Sequence, residues 1–413
     1  AHWELDGAAL AHPERRHADR RHAAFHAAGG TCGIKASGKA DLAMIVSDRP
    51  ARLAAVYTTN RVVGAPVIVG RRHLRGGRGR AFVCNSGCAN VATGEQGIAD
   101  AIAMCQAAAE AIGCDPHDVL PASTGVIGHR LPIDRIERGI GQLAPHLDRG
   151  EQADAYAARA IMTTDLKPKA AWAKVAGSRA VVAGIAKGSG MIAPDMATML
   201  GFITSDANIG AALLRRALKA AVNADASFNR ISVDTDTSTS DTVAVLANGA
   251  ADGPAIRETG PAYDAFAAAL TQVCRSLAYQ VIADGEGAKH VIRARVKAAA
   301  SDREALAAAR AIADSPLVKT AVHGADPNWG RIAMAVGKSG ARVDPAKMTI
   351  RIGRTTVYRN AGPAKFDQAA ASRQMQAAEV LIEVDLGQGP GDCEFLGCDL
   401  SREYITINAD YTT

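Results

Sequence analysis

One stretch of this 413-residue chain combines residue types that could do chemistry at close spacing: Lys187-Gly-Ser-Gly-Met-Ile-Ala-Pro-Asp-Met-Ala-Thr-Met-Leu200. A phosphate-cradling loop needs its glycines before the lysine and a hydroxyl directly after it. Here the lysine comes first and no helix signal follows at once, so that reading is set aside. Self-cleavage between Ala197 and Thr198 is the other reading. A hydroxyl can attack the carbonyl just before it when a turn holds that peptide strained and exposed. Gly188 and Gly190 supply a permissive backbone and Pro194 a stiff one. Cleavage would leave Thr198 with a free α-amine beside its Oγ. Such an amine titrates near neutrality, at about 7.7–8.0, and can serve as general base. Nucleophile and base then share one residue, the N-terminal threonine form of triad logic. On these local residues alone, a plain strand–turn–strand is the simpler reading.

Other reactive residue types give weaker signals. Residues 1–27 hold five of the eleven histidines, His2, His12, His17, His22 and His26. His22 and His26 have the i, i+4 spacing of a metal pair, but no third ligand is evident, and a solvated, poorly ordered leader is the reading adopted. The leader is Arg-rich like a transit peptide, yet Glu4, Asp6, Glu14 and Asp19 argue against one. The sequence shows no initiator Met, so its true start stays open. Eight cysteines lie mostly among apolar neighbours with no CxxC pair. They read as reduced, buried small hydrophobes, which places the chain in the cytoplasm.

These residues need elements to position them. Residues 42–47, 54–58, 81–84, 180–186 and 243–246 read as strands. Thr93 and Gln96 are spaced as a capping box, ahead of a helix with Ile98, Ile102, Cys105 and Ile112 on one face and Gly113 at its end. Leu213, Leu214, Ala217, Leu218 and Ala221 stripe a second helix, and Tyr263, Phe266, Leu270, Val273 and Leu277 a third. Asp284-Gly-Glu-Gly287 breaks the pattern and marks a domain boundary. Ser301 and Glu304 pair as a second capping box. Residues 348–352 and 380–386 follow as strands, the second alternating Val380, Ile382, Val384 against Leu381, Glu383, Asp385. A last strand is predicted at 404–408. Strands and helices mix throughout, an α/β chain.

Bulk composition narrows the function classes. Hydrophobic residues are 48%, charged residues 22% and aromatics only 4%, so alanine and aliphatics must fill the core through close helix–sheet approaches. The net charge of +5 comes from 47 basic against 42 acidic residues and is diffuse, without the aromatic-laced basic face of a nucleic-acid binder. No apolar run approaches the ~20 residues of a membrane span.

The 187–200 segment is similar to the cleavage motif of the ornithine acetyltransferase family, also called bifunctional glutamate N-acetyltransferase (ArgJ). Further stretches resemble the same family in the same order: Gly33-Ile-Lys-Ala-Ser-Gly-Lys39, Thr58-Thr-Asn-Arg61, Ala122-Ser-Thr-Gly-Val-Ile-Gly128 and Met162-Thr-Thr-Asp165. Phe228-Asn-Arg-Ile-Ser-Val-Asp234, Asp236-Thr-Ser-Thr-Ser-Asp-Thr242, Asp284-Gly-Glu-Gly287, Gly324-Ala-Asp-Pro-Asn-Trp-Gly-Arg331 and Ile407-Asn-Ala-Asp-Tyr-Thr-Thr413 continue it. Together they span about residue 28 to the end. Cys88 and Asp195 depart from the family, which more often has Asn at both. The resemblance implies a layered mixed-sheet sandwich like that of N-terminal-nucleophile enzymes, over residues 28–285, and a smaller C-terminal α/β domain, 286–413, whose end returns to the site.

By the same resemblance, Thr198 is the nucleophile in cleavage and in acetyl transfer, and Thr124 and Gly125 are the oxyanion pair. Thr164, Lys187, Glu286, Asn408 and Thr413 match the substrate contacts, with Lys187 suited to a carboxylate and Glu286 to an ammonium or a proton transfer. The implied reaction is ping-pong. Thr198 takes the acetyl group of N-acetylornithine, and glutamate then accepts it. No metal or other cofactor is required. Some members also take acetyl-CoA, and the sequence leaves that choice open. The two fragments are expected to assemble as an α2β2 heterotetramer, with no nucleic-acid or membrane partner. One rival is an N-terminal-nucleophile amidohydrolase or aminopeptidase using the same Thr198. Another is a binding protein that kept the fold and lost cleavage.

Overall fold

The computed structural model describes residues 24–193 and 199–410. The calls on Ala197, Thr198, Thr413, Asp195 and most of the leader therefore lie outside the described residues.

The first part of the chain runs β1 (Phe25–Gly30), β2 (Leu42–Tyr57), α1 (Ala65–His73), β3 (Arg78–Cys88), α2 (Gly94–Ile112), β4 (Val119–Val126), α3 (Ile133–Leu143) and α4 (Glu151–Ala160). It continues through β5 (Lys169–Lys174), β6 (Val181–Lys187), β7 (Leu200–Ser205), α5 (Ala211–Val222), β8 (Ile231–Ser232), β9 (Thr242–Ala247) and α6 (Pro261–Ala283). These strands, β8 excepted, form one mixed sheet ordered β4-β3-β2-β9-β7-β6-β5, with β1 added on β2.

The sheet is covered on both faces because its strands are apolar on both. Along β2, Leu42, Met44 and Val46 pack with α2 and α3. Further along the same face, Ala54 and Val56 pack with α5 and α6. The alternate residues Ala43, Ile45, Leu53 and Ala55 face α4. β2 joins the two strands expected at 42–47 and 54–58, with an irregular register between Val46 and Ala51. The alanine-rich composition shows its use at α4, which lies so close to β1 that a Cβ at Gly29 would overlap the Tyr156 carbonyl. β1 starts at Phe25, inside the segment read as leader, so 25–27 belong to the sheet.

The remainder runs β10 (Val291–Ala299), α7 (Asp302–Asp314), α8 (Pro316–His323), α9 (Trp329–Gly337), β11 (Thr349–Ile352), β12 (Thr355–Arg359) and β13 (Gly362–Pro363). It ends with α10 (Gln368–Met375), β14 (Glu379–Asp385), β15 (Gly391–Cys398) and α11 (Arg402–Asp410). A second mixed sheet, β13-β12-β11-β14-β10-β15-β8, takes β8 from the earlier part of the chain. Its apolar face, with Ile292, Ala294, Val380 and Ile382, packs with helical residues such as Ala308 and Ile312. Its other face is a lattice of ion pairs, Arg293 with Glu379 and Glu394, and Lys297 with Glu383.

Two local expectations are corrected. Residues 404–408 form helix α11, not a strand. The alternating Tyr-Ile-Thr-Ile suggests a strand, but the Ser401 hydroxyl accepts the Tyr404 N–H and Asn408 bonds back to the Tyr404 carbonyl, both helical contacts. Thr93 stands at the N-cap of α2 without capping it, because its hydroxyl donates to Asn90 and Gln96 donates to Asp100. Gly113 does end that helix left-handed, at φ +66°. Ser301 caps α7 as expected, although Glu304 turns to the Arg342 amide instead of back to Ser301. All eight cysteines are free, and six of them are buried.

Candidate active site

The site forms where strand ends from both halves of the first sheet meet. β3 and β4 run parallel, so their C-terminal ends emerge together, with Gly87 opposite Gly125. Gly125 has φ +127°, and a Cβ there would overlap the Gly87 carbonyl carbon and come within 2.7 Å of the Cys88 nitrogen. Only glycine fits that approach. Thr124, just before it, is buried and faces β6, whose last residue, Lys187, donates from Nζ to Thr124 Oγ1 at 3.1 Å.

After Lys187 the chain turns through Gly188, and the described residues that follow, 189–193, each lie against another segment. The Ser189 hydroxyl meets Thr164 Oγ1 at 2.7 Å, and the Ser189 carbonyl accepts the Glu286 N–H at 2.9 Å. Glu286 lies against the bare backbone of Gly190, where a Cβ would overlap its carboxyl. Asp234 accepts the N–H groups of Met191 and Ile192 at 2.6 and 2.8 Å, and Thr237 donates to the Ala193 carbonyl at 3.0 Å. The described chain resumes at Met199, whose carbonyl accepts the Thr242 N–H at 3.0 Å, and Leu200 pairs with Lys187 across the β6–β7 ladder. α11 reaches the same place, where Asn408 donates to Glu286 Oε2 at 2.8 Å.

Charge is concentrated behind this surface. Lys169, almost fully buried, donates to Asp165 and Asp284 at 2.6 Å each. Asp165 also accepts the Gly188 N–H at 2.6 Å and the Thr163 N–H at 2.9 Å. Burial works to raise the Asp165 carboxyl, but Lys187, Lys169 and the Gly188 N–H outweigh it and hold it below the usual range. Asp241 behaves oppositely: burial pushes its carboxyl well above the usual range, against the pull of Ser238 and Lys187. One of its oxygens, Oδ2, is buried without a partner among the described residues. Tyr404 is raised by burial and then by the Asp234 charge beside its hydroxyl.

Thr124, Gly125, Thr164, Lys187, Glu286 and Asn408, six residues from distant parts of the sequence, line one cavity of about 210 Å³, and Met199 and Leu200 continue its wall. Sequence reasoning missed Asp241, Asp234 and Ser189 as individual residues, although each sits inside a stretch noted for its family resemblance. It also gave no role to Asp165, and Lys169 belongs to no such stretch. Acids between serines and threonines look like solvated turn residues until the fold buries them. His26 stands in β1, so the helical i, i+4 spacing with His22 does not apply to it. Among the described residues, no group of three or more His, Cys, Asp or Glu side chains is placed to hold a metal.

The ArgJ family model matches residues 26–413. The arginine biosynthesis bifunctional protein ArgJ of Dehalococcoides mccartyi is 47% identical over 393 residues, covering 94% of this chain and 96% of that protein. Its namesake in Symbiobacterium thermophilum is 48% identical over 395 residues, covering 95% and 97%. A crystal structure of the arginine biosynthesis bifunctional protein ArgJ from Bacillus halodurans is 43% identical, with a TM-score of 0.50, over 52% of this chain and 100% of that one. A family match over nearly the whole described length, and relatives this similar from end to end, establish that the chain belongs to the ArgJ family of arginine-biosynthesis proteins.

Proposed function

We propose that the chain cuts itself between Ala197 and Thr198 and then moves an acetyl group from N-acetylornithine to glutamate through an acetyl-Thr198 ester. The observation that carries this reading is the convergence of Thr124, Gly125, Thr164, Lys187, Glu286 and Asn408 on one cavity whose wall includes Met199, the residue bonded to Thr198. In this reading the Thr124 hydroxyl and the Gly125 N–H receive the oxyanion. Lys187 faces a substrate carboxylate, Glu286 an ammonium, and Thr164, Asn408 and Thr413 complete the contacts. Thr198's own amine is the base, so no metal or other cofactor is needed.

The relatives' shared description as bifunctional supports a second activity, and we assign it to acetyl-CoA as an alternative donor to glutamate. We place the enzyme in the cytoplasm, as a pair of cut chains, α2β2. The catalytic part is 28–285 and the C-terminal part 286–413. The bond from Asn408 to Glu286 supports a return of the chain end to the site.

Denaturing mass spectrometry of the purified protein tests the reading first. It should give fragments 1–197 and 198–413, and Thr198→Ala should stay as one chain. Normal processing of that variant would remove Thr198 from the mechanism. Transfer from N-acetylornithine that requires glutamate separates this reading from an amidohydrolase, which would release acetate with water alone.

A further inference from the structure

The proposed oxyanion donor, Thr124, has an ambiguity built into its chemistry. A threonine hydroxyl carries one hydrogen and two lone pairs, and it rotates to suit its neighbours. It helps a developing oxyanion only when the hydrogen points into the cavity. Left to itself, the hydroxyl would turn that hydrogen toward any nearby carbonyl or carboxylate.

We propose that Lys187, backed by Asp165, is the positioning residue that fixes the Thr124 hydroxyl as a donor toward the cavity. This rests on the reading of Thr124 as an oxyanion contact. An ammonium has donors only. With Lys187 Nζ 3.1 Å from Thr124 Oγ1, the oxygen must accept, and its hydrogen is driven away from the lysine. Among the described residues that is the only side-chain bond Thr124 makes, so nothing else there claims its hydrogen. A charge-assisted bond accepted by a hydroxyl also strengthens that hydroxyl as a donor.

The lysine is held in place. It ends β6, is buried, and pairs with Leu200. Asp165 accepts the N–H of Gly188, the residue after Lys187, and is itself pinned by Lys169. Asp284 holds the far side of Lys169 and accepts the Leu166 N–H. The result is a bonded chain, Asp284–Lys169–Asp165, that holds the backbone at Gly188 and with it the end of β6 from which Lys187 reaches Thr124. It ties together the three segments that carry Thr164, Lys187 and Glu286. Lys187 keeps two further N–H groups for a substrate carboxylate, so a KM effect can accompany the positioning effect without replacing it.

A double-mutant cycle on the mature enzyme tests this, with the acetyl-transfer rate as readout. Thr124→Ala and Lys187→Met should each lower kcat by roughly 10²-fold, the usual cost of losing an oxyanion donor. The double variant should be no slower than either single variant, because the two act as one unit. Thr124→Ser should keep most of the activity. Lys187→Gln offers a carbonyl oxygen that can capture the Thr124 hydrogen, and it should lose kcat as well. An unchanged kcat in Lys187→Met or Lys187→Gln, with only KM raised, would overturn the proposal. So would losses that simply multiply in the double variant. A wild-type chain that neither cleaves nor transfers acetyl would instead overturn the functional reading on which this one stands.

Discussion

Asp241 shows how far a residue's role depends on burial. Its carboxyl lines the cavity, and one oxygen has no partner among the described residues. In the sequence it stands in a run of serines and threonines, which promises only a hydrophilic turn. The backbone decides otherwise: its carbonyl accepts the Thr58 N–H and its neighbour Thr242 opens β9, so the side chain is carried inside. Burial raises its pKa in the folded state, and the sign of the consequence follows. Below about pH 3.9, the unfolded value, both states hold the proton and the carboxyl costs nothing. As pH rises the unfolded chain releases its proton while the folded one must keep it, and stability falls until the folded pKa is passed. Asp241→Asn does not titrate. Its melting temperature should therefore exceed the wild-type value at neutral pH, and the gain should disappear toward pH 4. A lower melting temperature at neutral pH would mean that Asp241 is ionised and paired with Lys187. By contrast Thr124, Lys187 and Glu286 could be singled out in the sequence, because they fall in stretches that follow the family's order, and all three line the cavity.

Elements were readable where burial alone sets their pattern. α6 shows its apolar stripe from Tyr263 to Leu277 and is buried along it, and β14 alternates as its sequence does. Reading failed where polar contacts decide. α11 has no buried residue and leaves Ile405 65% exposed, so no hydrophobic period could announce it. It is fixed by the Ser401 hydroxyl at its start and by the bond from Asn408 to Glu286. The β3–β4 pair is the opposite case, an element contact readable only as a Ser-Thr-Gly turn. Gly125 and Gly128 both have positive φ, yet a Cβ at Gly125 meets the β3 backbone and one at Gly128 meets nothing within 4 Å. Gly128→Ala should thus carry only the cost of a left-handed alanine, about 1–2 kcal/mol. Gly125→Ala must in addition push β3 from β4 and spoil the proposed oxyanion geometry, so it should lose both melting temperature and kcat. Equal effects of the two substitutions would show that the close approach at Gly125 is not used.

At the scale of the whole molecule, the cut proposed at 197/198 falls inside a sheet whose strand order interleaves the two products. β7 and β9 follow the cut, and they lie between β2 and β6, which precede it. β2 pairs with β9 from Arg52–Ala247 to Tyr57–Thr242, and β6 with β7 from Val182–Ser205 to Lys187–Leu200. The second sheet takes β8 from the same C-terminal product, so the rest of that fragment is anchored through its own ladder. A cut at 197/198 falls outside all of these pairings. The fragments share one core, in which Ala54, Val56, Val182 and Ala186 from one side meet Ile203, Val243 and Val245 from the other. Chain cleavage therefore removes a connection and leaves the packing, and separation requires global unfolding. The cut protein should elute from gel filtration as a single species holding both fragments, at twice the 42.7 kDa of one chain if two cut chains pair. The fragments should part only in denaturant, in one transition that coincides with loss of secondary structure. Separation under native conditions, or a fragment that dissociates before the sheet unfolds, would contradict the interleaved order.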